Sequence, residues 1–127
     1  MIGDGHVLEL ADRAAEAMRE LNHRTRRPGA VSGPAELYRL VGELTMLAGR
    51  LPQLLGQLDR WLQAERDAGR LRADTGAGAG WVVVAAGADL ADAGGAAHEM
   101  ARALKAALAH LAHLGATDPD HAVSGRG

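Results

Sequence analysis

Residues 36–71 read ELYRLVGELTMLAGRLPQLLGQLDRWLQAERDAGRL, and their apolar side chains recur at helical spacing. One set steps by four and three residues and comprises Leu37, Val41, Leu44, Ala48, Leu51, Leu55, Leu58 and Leu62. A second set repeats every seven residues beside it and comprises Leu40, Leu47, Leu54 and Trp61. Because such steps place side chains on one side of a helix, the two sets predict a wide apolar stripe, typical of a core helix in a bundle.

Proline and glycine mark the ends of this helix. Pro34 is suited to a first helical turn, Gly33 can serve as its N-cap, and Gly69 stands near the other end, so we predict a helix over residues 34–70. Pro52 lies inside it and has no backbone N–H to donate. We therefore expect a kink at Pro52, with two shorter helices as the alternative.

Two further segments show the same periodicity. A first helix is predicted over residues 4–24, with Asp4 as N-cap and with Val7, Ala11, Ala14, Met18 and Leu21 as its apolar positions. A third is predicted over residues 80–114, with Val83, Ala86, Leu90, Ala93, Ala97, Met100, Leu104, Ala107, Leu111 and Leu114. Its opening, WVVV at residues 81–84, is β-branched, but it has no second strand to pair with. We interpret it as a buried first helical turn.

The composition indicates the same fold class. The chain has 27 Ala and 18 Leu but only 7 Val and no Phe, whereas β-sheet proteins need many β-branched and aromatic residues. The sequence predicts an all-α domain over residues 1–115, with helices 34–70 and 80–114 as a long antiparallel hairpin. Residues 116–127 have no apolar pattern and are predicted to be a disordered tail.

The leucines of the second helix are expected to face mostly Ala and Gly in the third, with Gly87 and Gly94 deepening the fit. One hairpin leaves part of the stripe exposed, so we expect the first helix to cover some of it. A second copy would cover the rest, as a homodimer with a four-helix core and the first helices outside. Trp61 and Trp81 are expected to cap one end of the core; the alternative is that they anchor a partner.

These patterns name two sets of candidate contact residues. The predicted anchors of self-association are Leu44, Leu51, Leu58 and Trp61. A line of glycines at seven-residue spacing suggests a face where another helix lies close, and comprises Gly42, Gly49 and Gly56. The alternative is that a chain rich in Gly and Ala simply tolerates them.

A basic cluster supports a second hypothesis, a nucleic-acid-associated accessory protein. The cluster comprises Arg24, Arg26 and Arg27, and Arg66, Arg70 and Arg72 could extend it if the fold brings them near. However, the net charge of −2 gives no general basic field, and cations are favoured at a helix C-terminus in any case. Nucleic acid is therefore not the expected partner.

No catalytic, cofactor or metal site is predicted. The chain has no cysteine, and His110 and His113 would supply two ligands where zinc needs at least three. The GAGAG run at residues 76–80 lacks the Lys-Ser/Thr ending of a phosphate-binding loop. No nucleophile with a base and an orienting group can be assembled, so we do not expect an enzyme.

We expect a soluble, cytoplasmic protein. The N-terminus lacks the basic region and the apolar core that a signal peptide would have. The uncharged stretch at residues 75–88 is too short and too weakly apolar to span a membrane. The lack of cysteine fits a reducing compartment.

Residues 36–71 resemble a segment of small all-helical actinobacterial proteins without a known activity. The resemblance implies a helical fold and an actinobacterial source, for which 13 Arg against one Lys is also typical. The hairpin length is similar to that of the helical-hairpin substrates of type VII secretion, which gives a third hypothesis. The turn here reads GAGAGWVV over residues 76–83, in place of the Trp-x-Gly turn of that family.

Overall fold

A computed structural model of the chain describes residues 5–76 and 78–117. The fold is all-α, as predicted. Three helices follow one another, α1 (Gly5–Arg24), α2 (Pro34–Asp67) and α3 (Ala79–Leu111). Helices α2 and α3 pack against each other as the predicted hairpin. The predicted N-cap Asp4 and most of the predicted tail, residues 118–127, lie outside the described residues.

Helix α2 begins as predicted and is continuous through its internal proline. Pro34 stands in the first turn, with Gly33 as N-cap. Pro52 lies inside the unbroken helix, so the alternative of two shorter helices is wrong. Two turns earlier the buried hydroxyl of Thr45 donates to the backbone carbonyl of Val41 at 2.8 Å, which satisfies a polar group that faces α3.

Helix α2 ends at Asp67, earlier than the predicted residue 70, because a glycine reverses the chain. Gly69 has a φ of 73°, a conformation that glycine adopts readily. The backbone N–H of Arg70 donates to the carbonyl of Glu65, and that of Gly69 to the carbonyl of Arg66, both at 3.0 Å. This is a Schellman closure. Helix α3 also ends early, at Leu111 instead of residue 114.

Gly87 and Gly94 set the spacing between α2 and α3. A Cβ atom added to Gly94 would lie 3.9 Å from the Cα of Pro52, and one added to Gly87 would lie 2.5 Å from Oδ1 of Asp59. Both glycines therefore face α2, as predicted. The two pairs step by seven residues in opposite directions along the chain, so the helices run antiparallel.

The core of the hairpin consists of small side chains. The buried residues of the described chain are Ala48, Val83, Ala97, Ala101 and Thr45. The antiparallel register places Thr45 opposite Ala101. No large side chain in the described ranges is fully buried. Burial of large apolar side chains is the main favourable term in folding, so this core is small for a chain of 127 residues.

The side of α3 that faces α2 differs from the prediction by one position in each heptad. The row at positions 83, 90, 97 and 104 lies on it as predicted, but the second row contains Gly87, Gly94 and Ala101. The predicted Ala93 and Met100 are exposed, Met100 by 45%. Close approach of the two backbones selects the smallest residues, so Gly87 and Gly94 lie in the contact row itself, whereas the apolar spacing predicts them beside it.

Helix α1 stands apart from the hairpin. None of its described α-carbons lies within 8 Å of an α-carbon of α2 or α3. Leu21 is half-buried, and every other residue of α1 is exposed. Ion pairs within the helix support it locally, including Arg24 to Glu20 at 2.8 Å and Arg13 to Glu9 at 3.8 Å. Its position is therefore set mainly by the loop that connects it to α2.

Candidate interaction surface

One side of α2 carries apolar side chains that α3 does not cover. We call this surface the leucine band, and it comprises Leu40, Leu47, Leu54, Leu58 and Trp61. Leu47, Leu54 and Leu58 are 39%, 46% and 44% exposed. Trp61 is 57% exposed and Leu40 is half-buried. Because these positions recur every three to seven residues, they form a continuous strip along one flank of the helix.

The predicted anchors of self-association fall on or beside this band. Leu58 and Trp61 belong to it, whereas Leu44 and Leu51 are half-buried between the band and the side that faces α3. All four lie on the same flank of α2. Their role as anchors stays a prediction.

A groove separates α1 from the leucine band. Its volume is about 510 Å³, and α1 lines it with Ala14, Ala17, Met18 and Leu21. Its α2 wall comprises Leu40, Glu43, Leu44, Met46, Leu47, Arg50, Leu51 and Leu54. The predicted covering of the stripe by the first helix is thus incomplete, because α1 faces the leucines across an open gap.

Both tryptophans are exposed, so the prediction that they cap the core is wrong. Trp61 lies on the leucine band, and Trp81 is 67% exposed at the start of α3. Residues 81–84 are helical as predicted, but only Val83 is buried. Val82 and Val84 are 41% and 63% exposed. Helical phase decides this outcome, since only one residue of the turn faces α2.

The predicted close helix contact at three glycines of α2 is not made within the described chain. A Cβ atom on Gly42 or Gly49 would meet no atom within 4 Å, and one on Gly56 would meet only Nη1 of Arg60, at 3.7 Å. The reason is that α1 approaches the opposite flank of α2. Contact of these glycines with a partner stays a prediction.

The fold does not unite the two groups of arginines considered for nucleic-acid binding. The exposed Arg24, Arg26 and Arg27 lie near the start of α2, whereas positions 66–72 lie at its other end. The 34 residues of the helix span about 50 Å. Nε of Arg24 also donates to Oε1 of Glu20 at 2.8 Å, which offsets part of the positive charge. Any nucleic-acid contact would rest on the first cluster alone, and it stays a prediction.

At the far end of α2, Arg70 and Glu65 form a two-point ion pair. Nε and Nη2 of Arg70 donate to the two carboxylate oxygens of Glu65 at 2.7 and 2.9 Å. The hydrogen bond from Arg70 lowers the pKa of Glu65 below its ordinary value, and the same bond raises the pKa of Arg70. The pair reinforces the backbone closure made by the same two residues, so its role is structural.

Sequence reasoning did not identify Asp59, which lies against α3. Its Oδ2 accepts a hydrogen bond from Nε2 of Gln63 at 2.8 Å, while its buried Oδ1 has no hydrogen-bond partner. Gly87 provides the space for that oxygen. The available signal was spacing: Pro52 and Asp59 are seven residues apart, as are Gly87 and Gly94.

The described part of the chain shows no arrangement suited to metal chemistry. Across residues 5–76 and 78–117, no cluster of three or more acidic, histidine or cysteine side chains is placed to hold a metal ion. Of the helices described, none combines the length and the apolarity needed to cross a membrane. Comparison with protein-family models, curated proteins and solved structures gave no match for this chain.

Proposed function

We propose that this chain is a non-enzymatic protein–protein interaction module that forms a homodimer through the leucine band of α2. The observation that carries the proposal is the exposure of Leu47, Leu54, Leu58 and Trp61 along one flank of a single helix. Scattered apolar residues are normal on a protein surface, but a contiguous apolar strip is typical of an interaction site. A chain without cysteine suits a reducing compartment, and we place the association in the cytoplasm.

The small core supports the need for a second copy. Among the residues that the structure describes, no large side chain is fully buried, so the hairpin core contributes little apolar burial. A standard interface covers about 800 Å² on each partner. Burying the leucines in such an interface would add the large apolar contacts that the hairpin core lacks.

The charges beside the band favour a second copy over a charged polymer. Glu43 and Arg50 both line the groove and have opposite signs. In a symmetric dimer, an acid of one copy can meet an arginine of the other. Nucleic acid or an anionic lipid surface would instead require a mainly basic face.

The band can be tested by one charge placed on it and the same charge placed elsewhere. Leu54→Glu puts a carboxylate at a position that is 46% exposed in the band, whereas Gln53→Glu adds the same group at an exposed position off the band. Leu54 is 46% exposed in one chain, so the dimer buries about half of its side chain, worth about 0.7–1.5 kcal/mol per copy. Both copies of a homodimer carry the substitution, so the dimer Kd should rise about 10- to 100-fold for Leu54→Glu. Sedimentation equilibrium should show a change of less than about threefold for Gln53→Glu.

Two results would contradict this proposal. One is a wild-type chain that light scattering shows to be a strict monomer at high concentration. The other is a dimer whose Kd responds equally to Leu54→Glu and Gln53→Glu, which would place the interface elsewhere.

Thermal unfolding provides an independent check. A protein whose folded form binds a second copy has a midpoint that rises with protein concentration. We expect such a rise in the midpoint followed by circular dichroism over a hundredfold concentration range. The Leu54→Glu variant should show a smaller rise.

A further inference from the structure

Helix α1 has an apolar side that its own chain leaves open. The positions at steps of three and four along this side are Val7, Leu10, Ala11, Ala14, Ala17, Met18 and Leu21. Val7 and Leu10 are 65% and 58% exposed. The axes of two helices in contact lie about 8–10 Å apart, so some of their facing α-carbons are closer than 8 Å. No α-carbon of α1 is that close to one of α2, so α1 is not packed directly on its own hairpin.

The opposite side of α1 is mostly polar, and Leu8, which is 77% exposed, is the large apolar residue that lies outside the apolar side. It carries ion pairs within the helix, among them Arg19 to Glu16 at 3.4 Å and Arg24 to Glu20 at 2.8 Å. These side chains are mostly exposed, and their opposite charges largely cancel. Burying this polar side would cost the solvation of every charge, so only the apolar side suits an interior position.

The loop between α1 and α2 makes only local hydrogen bonds. The backbone N–H groups of Thr25, Arg27 and Ala30 donate to carbonyls three or four residues earlier, and Ser32 bonds to Glu36 at the start of α2. None of these bonds ties α1 to the middle of the hairpin. The groove between α1 and the leucine band therefore remains open to another helix.

We propose that the two α1 helices lie inside the dimer, each seated in the groove between α1 and α2 of the other copy. This inference rests on the proposed self-association, and it differs from the predicted arrangement with the first helices outside. Three of the four alanines of α1, at positions 11, 14 and 17, lie on its apolar side and suit close helix packing. The apolar side of α1 and the leucine band, which one chain leaves exposed, cover each other in this arrangement.

Disulfide trapping tests the position of α1, because the chain has no cysteine of its own. Copies carrying Ala14→Cys and Leu47→Cys are co-expressed with different tags and oxidised. A disulfide needs α-carbons about 4.4–6.8 Å apart, and α1 of one chain is farther than 8 Å from its own α2. We expect a covalent dimer that carries both tags. Glu16→Cys on the polar side, paired with Leu47→Cys, is the control and should cross-link at most about a tenth as well.

Charge substitutions on α1 test its position in the dimer without a disulfide. Ala14→Glu places a charge on the apolar side of α1, and its neighbour Ala15→Glu places the same charge outside the groove. We expect the dimer Kd to rise at least about tenfold for Ala14→Glu and less than about threefold for Ala15→Glu.

The outcomes separate this inference from the proposed function. A wild-type monomer would remove both. A dimer that shows no Ala14→Cys to Leu47→Cys cross-link, and whose Kd does not respond to Ala14→Glu, would overturn the inner position of α1 and leave self-association standing. A chain carrying both cysteines that closes into a cross-linked monomer would also overturn it, since α1 would then pack on its own α2.

Discussion

Gly87→Ala is the substitution that tests the packing of α3 on α2 most directly. The added Cβ would lie 2.5 Å from Oδ1 of Asp59 and 3.4 Å from its Cγ. The side chain of Asp59 must therefore move, which disturbs its 2.8 Å hydrogen bond from Gln63, or the helices must separate. Overpacking of this kind costs about 2 kcal/mol.

A gain in helix propensity opposes this cost. Replacing an interior helical glycine by alanine stabilises a helix by up to about 1 kcal/mol. The balance for Gly87→Ala is thus a loss of about 1 kcal/mol in the free energy of unfolding. Gly95→Ala is the matched control, because Gly95 is exposed on the same helix and its added Cβ would meet no atom within 4 Å. Only the gain in helix propensity applies to Gly95→Ala, so the free energies of unfolding of the two variants should differ by about 2 kcal/mol.

Urea unfolding followed by far-ultraviolet circular dichroism measures both variants. The protein concentration is held constant, because the proposed association would contribute to apparent stability. Asp59→Ala removes the obstacle, so Gly87→Ala in that background should become stabilising, with a coupling of about 2 kcal/mol between the sites. Close packing of Gly87 on Asp59 is refuted if Gly87→Ala stabilises the unaltered chain as much as Gly95→Ala does.

Three further predictions concern α2. Ala48→Leu enlarges a side chain with no exposed surface and should lower the free energy of unfolding by about 2 kcal/mol in the same urea assay; an unchanged value would contradict a close-packed core. Pro52→Ala restores an N–H donor for the carbonyl of Ala48 and should stabilise the chain by about 1–3 kcal/mol, whereas a loss would show that the ring itself is needed. Arg70→Ala should raise the pKa of Glu65 towards its ordinary value in an NMR titration, and an unchanged pKa would disprove the pairing. Because pairing lowers the pKa of Glu65, the pair stabilises the folded chain fully at a pH above the ordinary pKa of a glutamate. This stabilisation is lost as the pH falls through the lowered pKa of the folded state. Arg70→Ala should remove this dependence of the free energy of unfolding on acidic pH.

The position of α2 could be predicted closely because its determinants are local. Pro34 and Gly69 act on the backbone within one turn, and the leucines mark the apolar flank by their spacing alone. The register against α3 could not be predicted in the same way. Gly87 and Gly94 contribute by lacking a side chain, so a reading based on apolar residues favours the neighbouring alanines instead.

The tryptophans show a second limit to what the sequence can predict, namely which large side chains are buried. Their size suggests burial, but burial depends on helical phase relative to a partner that the sequence does not specify. Trp61 is about two-fifths of a turn from the centre of the side facing α3, on the flank that carries the leucine band. Asp59 was missed for the complementary reason. A carboxylate is not a typical core residue, and it fits here only because Gly87 lies opposite.

The periodicity of α1 shows which side of the helix must be buried, but it does not show which surface buries that side. Its apolar side would be satisfied equally by its own leucine band or by that of a second copy, since the two surfaces have the same sequence. The distance between α1 and α2 and the open groove between them support the proposal that a second copy covers this side. A chain whose own core contains only small side chains gains most from contacts that bring large ones together. In the proposed dimer, folding and self-association are coupled, and the exposed apolar surfaces of α1 and α2 form the two halves of one interface.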